Sequence, residues 1–271
     1  MGEFQQQLFT YFGGLICLFI LVKCIRFLKY FFTRVWNALP QSFFRSMGEW
    51  AVVTGAGDGI GKAYSLELAK HGLNIVMISR TLEKLQKVAT EIEEATGRNV
   101  KIIQADFTKD YIYENIEESL QGLEIGILVN NVGMLHNPLP CRFLNGPDTD
   151  ENLISCNIIS AIKAFVCTFS KALQAEYKAK GITIQVVAPY GVSTQMTMYQ
   201  KPNLITKTAA EFVRESLRYV TVGEETCGCL AHEILACILQ LIPLWVFHSD
   251  RLQEAFLNTF PTYLKRNWKT P

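Results

Sequence analysis

Apolar positions fall into three regimes along the chain, and each regime predicts a different kind of element. The first is an uncharged run from Leu8 to Val22, LFTYFGGLICLFILV, followed by Lys23, Arg26, Lys29 and Arg34 set among Phe, Ile and Leu. As a helix the run spans about 22 Å at 1.5 Å per residue, short of a ~30 Å hydrocarbon core unless Lys23 snorkels and the span continues through Cys24 and Ile25. A signal peptide carries its basic residues ahead of the apolar stretch, whereas here only Glu3 precedes it and no cleavage site follows. The expectation is therefore a retained membrane helix over residues 1–35 with a basic flank. The excess of Lys and Arg after the run places the remainder on the cytosolic side.

The second regime starts at Trp50, where short buried runs alternate with amphipathic stretches. Strands are predicted at Trp50 to Thr54, Asn74 to Ser79, Lys101 to Ala105 and Ile125 to Asn130, with helices at Lys62 to His71, Leu82 to Thr96 and Tyr113 to Leu120. Strands alternating with helices mean an α/β fold, a Rossmann-like doubly wound parallel sheet. The third regime is the C-terminal part. Ile182 to Ala188 reads as one more buried strand, Gln195 to Val222 is polar and helix-rich, and Thr226 to Trp245 is strongly apolar. Glu233, His232 and Pro243 make that last stretch a core helix or pocket wall rather than a second membrane segment, with His232 a satisfied core or surface histidine rather than a ligand.

Composition removes several function classes. With 49% apolar residues the chain can fill one sizeable domain. A formal charge of +1, without a Lys/Arg stripe on an aromatic platform, excludes a nucleic-acid partner. The 8 cysteines are scattered in apolar surroundings with one C-x-C and no C-x-x-C, so neither a metal site nor a disulfide framework is expected.

Candidate chemistry begins where the first strand ends. Thr54-Gly55-Ala56-Gly57-Asp58-Gly59-Ile60-Gly61 has the spacing T-G-x-x-x-G-x-G between a strand and a helix. Glycines let the chain turn tightly, approach a pyrophosphate and aim helix N–H groups at its charge. After the second strand an acidic residue would accept from a ribose 2′-OH and repel a 2′-phosphate. Ser79-Arg80 stands there instead, and a guanidinium suits a phosphate dianion, so NADP(H) is expected over NAD(H).

Asn130-Asn131-Val132-Gly133 after the fourth strand makes the pattern specific: it resembles the N-N-x-G of the short-chain dehydrogenase/reductases. The run Glu49 to Tyr64, Ile102 to Thr108 and the N-terminal anchor resemble the membrane-bound 17β-hydroxysteroid dehydrogenases, with long-chain 3-oxoacyl-CoA reductases as near relatives. The resemblance implies hydride transfer from NADPH to an apolar ketone, a 17-ketosteroid of the androstenedione type, at the endoplasmic reticulum membrane. It also implies that Asp106 contacts the adenine. Pro189-Tyr190-Gly191-Val192-Ser193-Thr194 matches P-G-x-V-x-T with Tyr190 in the glycine slot, implying that Val192 and Thr194 flank the nicotinamide.

The family reduces ketones with a Ser, a Tyr acting as general acid, a Lys four residues after that Tyr, and an Asn that holds a relay water. Asn157 matches the last of these; Lys163 is either the family lysine or an ordinary lysine of the preceding helix, and four positions before it is Ile159. No tyrosine of the chain has Lys four residues later. Between Asn157 and the family-like Ala164-Phe165-Val166 lie six residues, Ile158 to Lys163. A βαβ unit takes about 30 residues or more, so the strand with the Ser and the helix start with the Tyr have no room. The expected consequence is a sheet one strand short, with a single helix from about Asp150 to Lys180 and strand Ile182 to Ala188 moved beside Ile125 to Asn130. The division expected for residues 36–271 is a nucleotide-binding half at 48–135, a shortened catalytic region at 150–195 and a substrate or lid region at 195–271. The helices that pair subunits in the family are the fused ones, so the family dimer is not expected. Without the Ser and Tyr, turnover should be poor or absent unless Tyr190, Ser193 or water supplies the proton. A non-catalytic NADP-binding protein is the competing reading.

Overall fold

The computed structural model describes residues 2–36, 39–40, 42–133, 166–243, 246, 249–252 and 254–255. The chain divides into two compact units, Met1–Leu39 and Pro40–Pro271.

The first unit is the helix α1 (Glu3–Trp36). Phe9, Leu15, Phe19 and Leu21 along it are 55–68% exposed, and the Lys23 ammonium lies 5.0 Å from the Phe19 ring centroid. Among the described residues no helix is long and apolar enough to cross a membrane. The expected helix is there, but a membrane span is not supported. The uncharged stretch stops at Lys23 after Leu8 to Val22, about 22 Å against ~30 Å of hydrocarbon.

In the second unit the alternation from Trp50 onward forms as the pattern predicts. The elements are β1 (Trp50–Thr54), α2 (Gly59–Lys70), β2 (Asn74–Ser79), α3 (Leu82–Thr96), β3 (Val100–Gln104), α4 (Tyr113–Leu120) and β4 (Ile125–Val129). The four strands make one sheet in the order β3-β2-β1-β4 with every pair parallel. Val52, Val76, Ile78, Ile103, Ala105 and Ile112 form one buried cluster, with Ile116 and Leu120 of α4 packed against it. The alternation of strand side chains sends Ala51, Val53, Ile75 and Met77, all fully buried, to the other face, which α2 and α3 cover. Leu68 of α2 and Leu85 and Ile92 of α3 are fully buried as well. At about 1.5–3 kcal/mol for each large side chain removed from water, these two layers hold the nucleotide-binding half together.

Past β4 the expected topology requires correction. Residues 166–177 form a helix, α5, closed by a turn at Lys178–Lys180, and residues 150–165 of the predicted long helix lie outside the described residues. The strand foreseen over Ile182 to Ala188 does not move beside β4. Only β5 (Val186–Val187) forms there, and it pairs in parallel with β8 (Glu225–Thr226) in a separate two-stranded sheet. The reason is local hydrogen bonding: Val186 N–H donates to the Glu224 carbonyl and Ala188 N–H to that of Thr226, both at 2.8 Å. The Gln185 side chain donates to the Tyr219 and Gly223 carbonyls, and Gln174 of α5 accepts from Ile184 N–H. These bonds hold one edge of the segment on β8. Among the described residues β4 pairs with β1 alone, and Leu128 on it is 59% exposed.

The remainder is built from β6 (Val192–Ser193), β7 (Lys207–Thr208), α6 (Ala209–Leu217) and α7 (Leu230–Leu239), with β6 and β7 paired in parallel. The helix expected in a lid is instead part of the core. α6 packs on α2 through buried Phe212, Val213 and Leu217, and the Tyr64 and Ser216 hydroxyls meet at 2.8 Å. α7 departs from the predicted core helix: only His232 and Glu233 on it are buried, while Ile234 and Ile238 are 41% and 53% exposed. Its buried Glu233 accepts from the Thr226 hydroxyl at 2.9 Å and from Cys227 N–H at 2.7 Å. The ring of His232, fully buried, accepts from Tyr190 N–H at 3.4 Å through Nδ1 and donates through Nε2 to the Ile205 carbonyl at 2.8 Å.

Candidate functional site

The carboxyl ends of β1, β2 and β4 lie side by side, and the glycine loop turns off β1 between them. Gly55 has a φ of 63° and donates its N–H to the Ile78 carbonyl at 2.8 Å, which ties the loop to β2. Inside the turn there is no room for a side chain: a Cβ on Gly61 would stand 2.2 Å from the Gly55 carbonyl oxygen. The loop can only be this tight because both positions are glycine. Asp58 then caps α2, accepting from Gly59 N–H at 2.7 Å, and Ile60 and Gly61 lie in the first helical turn.

Two further segments close on the loop. The Thr54 hydroxyl accepts from Asn131 N–H at 3.0 Å and donates to the Val129 carbonyl at 3.4 Å, so the Asn130-Asn131-Val132-Gly133 segment is fixed against the end of β1. From β6, the Thr194 methyl stands 3.2 Å from where a Gly59 Cβ would lie, and Met196 is 3.7 Å from the corresponding position on Gly133. Val192 is buried in β6. The predicted residues Thr54, Gly55, Gly57, Asp58, Gly59, Ile60, Gly61, Asn131, Gly133 and Thr194 therefore adjoin one another at one edge of the sheet.

Ser79 ends β2, and its hydroxyl lies 3.6 Å from the place a Gly57 Cβ would occupy. Arg80 follows, with an exposed side chain and a carbonyl that accepts from Gln104 Nε2 at 3.0 Å. Asp106 accepts from Thr108 N–H at 3.1 Å and from its hydroxyl at 2.9 Å. Those bonds, with smaller help from the Arg80 and Lys109 charges, hold its carboxyl below the usual range. No acidic side chain follows β2 to accept from a ribose hydroxyl, and the cradle has the shape a dinucleotide pyrophosphate requires.

Asn157 and Lys163 lie outside the described residues. For three of the described tyrosines the chemistry is unfavourable. A phenol must be pulled well below 10 to work as an acid near neutrality, yet Tyr64, Tyr190 and Tyr199 are all held above that value, each first by burial. Tyr64 lies beneath α6, and Tyr190 is turned edge-on to the His232 ring at 5.9 Å.

One cluster at the loop escaped the sequence reading. The Lys84 ammonium lies 3.1 Å from Asp58 Oδ2 and donates to Gln195 Oε1 at 3.0 Å, while the Tyr199 hydroxyl donates to the same Asp58 oxygen at 3.4 Å. Asp58 and Lys84 are 26 residues apart, and no spacing rule connects them.

The short chain dehydrogenase family model matches residues 49–165 and 157–204, two pieces that overlap where the sequence departs from the family pattern. The chain belongs to the short-chain dehydrogenase family. It is 57% identical to "17-beta-hydroxysteroid dehydrogenase type 3" of Homo sapiens, covering 99% of each chain over 308 positions. That alignment is longer than the 271 residues present here, so the human protein carries residues without counterparts in this chain. Similarity to "Very-long-chain 3-oxoacyl-CoA reductase" of Mus musculus is lower, 39% over 74% of this chain and 78% of the relative. Among solved structures, a short-chain dehydrogenase from Sphingobium yanoikuyae in complex with NADPH matches with a TM-score of 0.54 at 21% identity, covering 70% of this chain and 92% of its own.

Proposed function

We propose that the chain is an NADP(H)-binding member of the 17-ketosteroid reductases whose proton-delivery apparatus is missing, so that it holds the nucleotide and turns ketones over slowly or not at all. The carrying observation is the arrangement at the end of β2. Ser79 faces Gly57, Arg80 follows with an exposed side chain, and Asp106 is occupied by Thr108. That set suits a 2′-phosphate, and no acidic residue directly follows β2 to accept from a ribose hydroxyl. The cofactor is NADP(H).

Residues Gly55 to Gly61 receive the pyrophosphate on the N-terminal turn of α2, Asp106 lies toward the adenine, and Val192 and Thr194 lie toward the nicotinamide. When bound, NADPH supplies a hydride to a ketone carbon. What this chain lacks is a positioned acid for the oxygen that becomes an alkoxide. A general acid contributes ~10² to 10⁴ in rate and an oxyanion donor ~10² to 10³, not additively. Asn157 and Lys163 alone supply neither the Tyr nor the Ser. Burial raises Tyr190, which counts against it as a substitute.

The substrate class is an apolar ketone, with a 17-ketosteroid favoured over a 3-oxoacyl-CoA by the higher identity and wider coverage of the steroid relatives. The exposed Phe and Leu side chains of α1 and the basic residues among and after them attach the chain to the surface of the endoplasmic reticulum membrane. Purified protein should enhance or shift NADPH fluorescence. With androstenedione present it should oxidise NADPH at no more than about one-hundredth of a family enzyme's rate. Brisk oxidation with androstenedione sinks the reading of impaired turnover. Absence of any NADPH signal sinks the reading altogether.

A further inference from the structure

The Lys84 ammonium reaches across to the glycine loop although no motif includes it. The side chains of Lys84 and Asp58 are 45% and 36% exposed, and an ion pair that open to water adds little to the stability of a fold. Its location is more telling than its strength. A Cβ on Gly57 would lie 3.4 Å from Lys84 Cβ and 3.6 Å from the Ser79 hydroxyl, so Asp58, Lys84 and Ser79 border one patch where the loop meets β2. Gln195 and Tyr199 hold the pair in place from the turn after β6.

A carboxylate at that patch repels an anionic nucleotide, and it repels a 2′-phosphate more than a 2′-hydroxyl. Asp106 at this end of the sheet has Arg80 and Lys109 near it, whereas the cation paired with Asp58 is Lys84. Removing Lys84 leaves the Asp58 carboxylate without that ion-pair partner, facing a dianion.

We propose that Lys84 is a specificity-determining residue for the nucleotide. By pairing with Asp58 it cancels the carboxylate beside the ribose 2′ position and lets the site accept a 2′-phosphate. This rests on the NADP(H) reading given above.

The test uses the full chain as wild type, Lys84→Met, Lys84→Arg and the double variant Asp58→Asn/Lys84→Met, titrated separately with NADPH and NADH by nucleotide fluorescence. Melting without nucleotide serves as the fold control, and Lys84→Gln replaces Lys84→Met if the latter melts early. Asparagine keeps an acceptor for Gly59 N–H, so the cap of α2 survives in the double variant. Lys84→Met should weaken NADPH about five- to twentyfold, the scale of one unit charge near a dianion at a solvent-exposed site, and weaken NADH distinctly less. Lys84→Arg should keep the wild-type preference, and the double variant should regain NADPH affinity. Equal loss of both nucleotides, loss of neither, failure of Lys84→Arg, or a double variant as weak as Lys84→Met overturns the role of Lys84 while NADP(H) binding by the wild type stands. A wild type that binds neither nucleotide overturns both.

Discussion

The hydroxyl of Thr54 accepts the main-chain N–H of Asn131 at 3.0 Å, and through that bond the ends of β1 and β4 are held at one height beside the glycine loop. Thr54 is 6% exposed and the bond is part-buried, so removing the acceptor takes this partner from the Asn131 donor. Thr54→Val should cost about 1–2 kcal/mol and weaken NADPH binding, whereas Thr54→Ser should do neither. Chemical denaturation alongside a nucleotide titration checks both parts, and a fully stable Thr54→Val would contradict the bond's role.

Gly61→Ala puts a methyl 2.2 Å from the Gly55 carbonyl oxygen, backbone that has no side-chain freedom to yield. Overpacking of this kind costs about 1–3 kcal/mol, and here the displaced atoms belong to the phosphate cradle itself. The expected outcome is loss of the NADPH fluorescence signal in a chain that still folds by circular dichroism. Retained binding would mean that the loop opens more easily than its geometry implies.

Tyr64 and Ser216 join α2 to α6 by a buried hydroxyl pair at 2.8 Å. Tyr64→Phe leaves Ser216, 1% exposed, without that partner and should destabilise by about 1–3 kcal/mol. Ser216→Ala in the Tyr64→Phe background should recover part of the loss, and a double-mutant cycle measures how much.

A pH dependence follows from the N-cap of α6. Thr208 hydrogen bonds hold the Glu211 carboxyl below its ordinary value of 4.5. Its stabilising effect is therefore complete above that value and fades as pH drops through the lower folded one. Wild type should melt above Glu211→Gln near neutrality, and the two curves should converge in acid. A gap that persists or widens at low pH would show that the carboxylate is not its source.

The legibility of the sequence stopped where contacts became long-range. Val52, Val76, Ile78 and Met77 sit in runs of buried residues whose period alone marks strands, and the Thr54 to Gly61 spacing marks the turn. For those, neighbouring residues carry the signal. The partner of Val186 was misassigned because a short apolar strand fits either β4 or β8. The choice was made by Gln185, whose amide reaches the Tyr219 and Gly223 carbonyls, a contact no local pattern encodes. Lys84 was missed for a related reason: a lysine in the first turn of an amphipathic helix reads as solvated surface, and only the folded loop brings Asp58 within 3.1 Å.

Leu128 offers a test of the other side of the same rearrangement. It is 59% exposed on a strand that, among the described residues, has one neighbour, and exposed edge strands template association. Leu128→Lys should lower the light scattering of concentrated samples while leaving NADPH affinity intact. Unchanged scattering would indicate that this edge takes no part in association.

Because β5 pairs with β8 and not with β4, the ladder of main-chain bonds among the described residues is not continuous from β3 to β8. Heat can then loosen the C-terminal elements while the β1 to β4 layer survives, with the α2 and α6 side chains as the coupling between them. Calorimetry of this chain should accordingly trace two overlapping absorption peaks, of which nucleotide raises chiefly the later one.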